Sequence, residues 1–208
     1  MRLIRGGFAT IREHLRAYVV INVVFYGLLI VAMGVAAVFP QLHESLWGLA
    51  EGESGGPGIL GAVDRAYQDG DVLVAAALTF VVNLTIGALL TVTLPSFVIP
   101  FFGVGFVIYR VVQWGILFTP AGPEAGVLIP HMLTLVIEGQ AYVVAALAVW
   151  LHGRMFLMPR RSGLPSRWVG YAAGLGATVR LYPLVVVLLV VGAVYEAIEV
   201  IYFIPLLT

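Results

Sequence analysis

Residues 194–203 read VYEAIEVIYF, placing Glu196 and Glu199 three positions apart in a stretch otherwise suited to lipid. On a helix the two lie about 60° apart and share a face. A charged residue at the centre of a bilayer costs about 2.5–3.5 kcal/mol even on lenient insertion scales. Carboxylates kept there are therefore candidates for handling protons or cations. Asn83, Arg110, His131 and Glu138 fall in similarly apolar surroundings. His131 and Glu138 are seven residues apart, which returns them to one helical face.

Three carboxylates against one arginine leave an excess of negative charge in a medium of low dielectric. Three remedies exist. Glu196 can pair with Arg110, whose guanidinium does not lose its proton. A carboxylate can stay protonated. Or a hydrated pocket, with or without a cation, can solvate the remainder. The first is a structural network that sets helix register; the others make a transport or binding site.

Five segments must position these residues: 18–39, 72–94, 97–118, 127–151 and 183–207, each near the roughly 20 residues that cross a hydrocarbon core. With a rise of 1.5 Å per residue, Arg110 and Glu196 each stand about 20 Å above the cytoplasmic ends of their spans. Glu138 and Asn83, approaching from the other side, reach a similar level, and His131 stays nearer the outer interface. The six polar residues are compatible with one layer. Pro95, Pro100, Gly103 and Gly105 interrupt TLPSFVIPFFGVGF between the second and third segments, as a tight turn or a helix break at membrane depth.

Composition agrees with a membrane location. The chain is 61% hydrophobic and 11% charged, with a mean hydropathy of +1.03, whereas soluble domains carry about a quarter charged residues. There is too little polar material to coat a water-facing surface. All the cations are arginine and cysteine is absent, which removes disulfides and thiolate chemistry. Arg2, Arg5, Arg12 and Arg16 precede the first span, and Arg154, Arg160, Arg161, Arg167 and Arg180 lie between the fourth and fifth. Residues 40–71 instead hold six acids and one arginine, Arg65. The positive-inside rule then puts the N-terminus in the cytoplasm and the C-terminus outside. The first apolar run exceeds the 7–15 residues of a signal-peptide core and reads as a retained span.

The expected architecture is a single all-α membrane domain, a multi-pass bundle in the cell membrane. It comprises a cytoplasmic amphipathic helix over 1–17, an acidic external loop over 40–71 with a flexible EGESGGPG turn, and a basic connection over 152–182. Ile4, Phe8, Ile11 and Leu15 recur at helical spacing, as do Trp168, Tyr171, Leu175 and Val179 after the candidate N-cap Ser166. Both segments read as interfacial helices. The spacing of Gly170 and Gly174 favours close helix contacts.

Catalytic chemistry finds no support. The four histidines (His14, His43, His131, His152) have no metal-ligand spacing, and no nucleophile motif or phosphate-cradling loop occurs. No catalytic residue, metal or cofactor is expected, and the arginines are explained by topology rather than by nucleic acid.

The segment NLTIGALLTVTLPSFVIPFFGVGFVIYRVVQWGILF resembles the central part of the stage II sporulation protein M family of five-span membrane proteins, through Asn83, Gly103, Gly105 and Trp114-Gly115. LIPHMLTLVIEGQAYVVAALAVW is similar to that family's Pro-His-Gly segment at Pro130 and His131, with Met132 in place of the glycine. Leu135 stands where the family's glutamate would be, and Glu138 one turn further. VYEAIEVIYFIP resembles the closing glutamate helix through Glu196 or Glu199 and Pro205. The likeness spans roughly residues 70–208. It implies a non-enzymatic subunit that anchors or organises a membrane complex, with protein partners and homo-oligomers expected. The alternative is a proton- or cation-coupled transporter or channel using the polar cluster.

Overall fold

The computed structural model describes residues 2–54, 58–120 and 125–207, which are helical almost throughout, with no strand among them. The elements are α1 (Arg2–Glu13), α2 (Leu15–Val38), α3 (Pro40–Ser54), α4 (Ile59–Gln68), α5 (Val72–Val98), α6 (Phe102–Leu117), α7 (Ala125–Leu157) and α8 (Arg167–Leu206). Four of them hold apolar stretches long enough to cross a membrane: α2, α5, α7 and α8. The third expected span is shorter. α6 has 16 residues, about 24 Å at helical rise against a core of about 30 Å.

Two boundaries differ from expectation. Pro95 does not end α5. It sits inside the continuous helix, just past the point where the winding changes from π to α, and the chain turns at residues 99–101 instead. Ile99 is extended, as a residue before proline prefers, and Phe101 is left-handed with φ of 69°. The buried Ser96 hydroxyl closes this turn, accepting from Gly103 N at 2.7 Å and donating to Val92 O at 2.6 Å. Gly103 is needed there, because a Cβ would lie 2.7 Å from Ser96 Oγ; at Gly105 there is open space. The Phe101 ring rests against Gly153, where a Cβ would meet it at 2.8 Å.

The second difference is at Pro183. The expected interfacial helix and the fifth span are one helix of 40 residues running through it. Ser166 caps that helix by accepting from Val169 N. Transmembrane helices tolerate such prolines because neighbours re-satisfy the freed carbonyl.

The α7–α8 hairpin is the centre of the bundle. Gly170 and Gly174 bring α8 within backbone contact of Met155 and His152 on α7, so this glycine pair acts inside the chain. Val143–Val149, with Leu181, Val185 and Leu189, form the fully enclosed part of the core. His152 is buried there, ringed by Phe97 and Tyr171, and neither ring nitrogen has a hydrogen-bond partner among the described residues. α2 packs on α6 through Gly115, where a Cβ would lie 2.5 Å from that of Ala32.

α1 docks on α8 through Gly7, Thr10 and Ile11, while Ile4 and Phe8, with Leu15 at the start of α2, point away from the protein. The acidic segment is not a loop among its described residues but the two helices α3 and α4. Residues 55–57 of the expected glycine turn lie outside the described residues. His43 ties α3 to Ile116 O at 3.1 Å. Asp71 caps α5 by accepting from the amides of Leu73 and Val74, both at 3.1 Å.

Candidate functional site

The polar residues arrive from four helices. Asn83 begins a widened π-helical stretch of α5 that continues to Thr93. Within it Thr91 donates to Gly87 O, and Thr85 bonds Val81 O just ahead, both at 2.6 Å. Side chains that engage carbonyls one turn back loosen the helical ladder. A second π turn, Glu199–Phe203, precedes Pro205, which has no N–H to offer the carbonyl one turn back. Such widened turns are often found at functional sites.

His131, Thr134 and Glu138 occupy one face of α7, and each meets a partner. The Thr134 hydroxyl donates to Glu199 at 2.6 Å, and one ring nitrogen of His131 lies 3.2 Å from the same carboxylate. Glu199 has no exposed surface. Asn83 donates its amide to Glu138 at 2.8 Å. Gly192 makes room for that carboxylate, since a Cβ would lie 2.6 Å from Glu138 Cγ.

Arg110 and Glu196 do not form the ion pair expected from their equal depth. Among the described residues neither enters any salt bridge. The Arg110 guanidinium instead lies 5.8 Å from the ring centroid of Trp114, one turn along its own helix. Both residues open on a cavity of about 200 Å³ that Asn83, His131, Thr134 and Glu138 also line. A second lobe of about 280 Å³ shares Leu60, Asn83, Arg110 and Trp114 with it and extends along α5 to Gly87, Thr91 and Tyr142. Leu60 and Val63 of α4 contribute to its wall. The whole is wide enough for several waters.

Sequence reasoning missed Thr134, which stands three residues after His131 on the same face. It also missed Tyr67, whose hydroxyl shares a hydrogen bond of 3.0 Å with Thr79. Burial, and after it the Glu196 carboxylate, raises the Tyr67 phenol above its ordinary pKa, so it remains a neutral donor at any physiological pH. A separate network joins α2 to α7. Tyr18 donates to Gln140 at 2.7 Å, and the Gln140 amide donates to Asn22 and Tyr26 at 2.7 and 2.9 Å. Tyr18, Asn22 and Tyr26 recur every fourth residue, a spacing visible in the sequence. Pro95, Pro100, Gly103 and Gly105 lie at the far end of α5 and α6 and take no part in the cavity.

Chemically, His131 touches both the cavity and the sealed Glu199. Thr134 does the same, so two neutral-capable hydrogen-bonding side chains separate the cavity from that carboxylate. Among the described residues, no three His, Asp or Glu side chains converge closely enough to hold a metal ion. Comparison with protein-family models, with curated proteins and with solved structures finds no match to this chain.

Proposed function

We propose that this chain is a proton-coupled transporter or channel of the cell membrane, in which Glu196, Glu138 and the His131–Glu199 pair take up and release protons. The carrying observation is that Arg110 and Glu196 stand apart on a cavity of about 200 Å³ instead of neutralising each other. A network serving only to fix register would join opposite charges, because an unpaired ion in low dielectric is costly. Intramembrane ionisable groups facing a cavity are typical of proton relays. Arg110 supplies a fixed positive charge that offsets the carboxylates whichever of them is ionised.

In this reading α6 is a fifth crossing, short but closed by its flanking turns. The N-terminus lies in the cytoplasm and the C-terminus outside. That odd number places Arg2, Arg5, Arg12 and Arg16 on the same side as Arg154, Arg160, Arg161, Arg167 and Arg180. α1 lies at the headgroups with Ile4 and Phe8, and with Leu15 at the start of α2, toward lipid, and the cytoplasmic end of α8 stands in the same layer. The chain lacks cysteine, so Ser162→Cys and Ser45→Cys report orientation without background. Labelling of Ser162→Cys by an impermeant maleimide added outside intact cells would overturn the assignment.

The resemblance of residues 70–208 to the stage II sporulation protein M family supports a second reading, a non-enzymatic subunit that anchors or organises a membrane complex, with protein partners or further copies of itself. On this reading the exposed Trp168 at the start of α8, which touches the rings of Phe156 and Tyr171, belongs to the surface that a partner covers.

Proton flux into proteoliposomes, for wild type against Glu196→Gln, separates the two. Transport predicts flux in the wild type and its loss in the variant at unchanged melting temperature. A wild type that passes no protons under any imposed gradient overturns the transport reading and leaves the anchoring one.

A further inference from the structure

Away from the intramembrane site, α1, the start of α2 and the end of α7 enclose a second cavity, of about 830 Å³. We propose that it binds the headgroup of an anionic phospholipid.

Four arginines line it: Arg12 and Arg16 from either side of the α1–α2 joint, Arg154 from α7, and Arg161 from the turn that follows. Among the described residues none of the four forms a salt bridge. Glu13, the one acid lining the cavity, reaches only its neighbour His14, at 4.0 Å. The cavity therefore carries a strong uncompensated positive charge. Arg154 is held in place by the Trp150 ring, 5.2 Å from its guanidinium carbon. Planar guanidiniums match phosphate oxygens in paired hydrogen bonds, which favours a phosphate ester over a diffuse counter-ion.

The remaining walls indicate where that phosphate comes from. Val20 and Ile21 line the cavity on the α2 side. From there the surface passes to Val19, Val20 and Val23, all exposed and apolar on a helix long enough to span a membrane. A soluble phosphate would gain nothing from that strip, whereas an acyl chain attached to the phosphate would lie along it. Basic pockets at the membrane-facing ends of helices bind lipid headgroups in this way. The volume is within the usual range for small-molecule sites, about 300–1,000 Å³.

The test measures lipid retained by the purified full chain in mixed micelles, using native mass spectrometry with phosphatidylglycerol and phosphatidylcholine at equal concentration. Retention of about one phosphatidylglycerol per chain in preference to phosphatidylcholine is expected. Arg154→Gln/Arg161→Gln should weaken it roughly thirtyfold, from about a fivefold factor per arginine near a lipid surface. Arg160→Gln/Arg167→Gln removes the same charge nearby but outside this cavity and should leave retention unchanged. If the first variant misfolds, Arg12→Gln/Arg16→Gln, at exposed positions, carries the same expectation. Equal loss in the outside variant overturns the proposal, as does a wild type without preference between the lipids. Displacement of the lipid by millimolar inorganic phosphate would also overturn it, in favour of a soluble phosphate ester.

Discussion

Gly87 offers a quantitative test of how the cavity is built. It lies in the π-helical part of α5, and a Cβ there would overlap the Tyr142 hydroxyl while lying 3.1 and 3.4 Å from ring atoms Cζ and Cε1. Gly87→Ala must therefore push the phenol aside by about 1 Å, and overpacking of this kind costs about 1–3 kcal/mol. The added methyl group returns about 0.5–1 kcal/mol of helix propensity. Net destabilisation of about 1–2 kcal/mol follows. Tyr142→Phe alone removes a hydroxyl on the cavity wall and should cost no more than about 1 kcal/mol. In the double variant the overlapping oxygen is gone and the tightest remaining contact is that of 3.1 Å to Cζ, so its stability should exceed the additive expectation by about 1 kcal/mol. Equilibrium unfolding in bilayers, followed by steric trapping, measures all four corners of the cycle. Additivity within about 0.5 kcal/mol would refute the packing of Tyr142 against Gly87, and so would a Gly87→Ala variant that is simply more stable.

Two further substitutions probe the buried polar groups. Thr134→Val keeps the side-chain shape but removes a donor to the sealed Glu199 carboxylate, and should cost about 1.5–3 kcal/mol; the same change in a Glu199→Gln background should cost less than half as much, and equal costs by thermal unfolding would remove that hydrogen bond from the account. His152→Phe replaces a ring whose two nitrogens lack partners among the described residues by one that needs none, and should raise stability by about 1–3 kcal/mol. A lower melting temperature would mean that His152 has a polar role.

Depth was the legible part of this site, and azimuth was not. Counting residues along a helix of known rise places Asn83, Arg110, Glu138, Glu196 and Glu199 at comparable heights, and Asn83 does bond Glu138. Which way each side chain turns depends on crossing angles that only the packed bundle supplies. Equal height makes Arg110 and Glu196 natural partners, yet the Arg110 guanidinium lies over Trp114 on its own helix. Glu199, which shares a helical face with Glu196, is enclosed by His131 and Thr134. Helix limits failed for a related reason. Pro95 and Pro183 are strong stop signals in isolation, but one falls where the winding of a continuous helix changes from π to α and the other lies inside an uninterrupted helix. Glycine reads equally in both directions: Gly103 serves contact with Ser96, whereas Gly105 faces open space.

The two polar networks of the bundle make a useful contrast. Tyr18, Asn22, Tyr26 and Gln140 are neutral, and they bond one another across α2 and α7. That is how a helix pair gains register where lipid offers no hydrophobic drive for association. The bundle thus already has a device for specifying packing, and it is built without charge. The second network lies at another interface, where α5, α6, α7 and α8 meet. It uses the costliest residues available, and it leaves Arg110 and Glu196 unpaired on a cavity instead of closing on itself. Register alone does not account for that difference. A group whose charge changes during function must be able to lose its partner, and must have water within reach when it does. In the proposed transport reading Glu196 is such a group: among the described residues it has no ion-pair partner to lose, and it lines the cavity. Glu199 meets that cavity through two side chains that line it, His131 and Thr134.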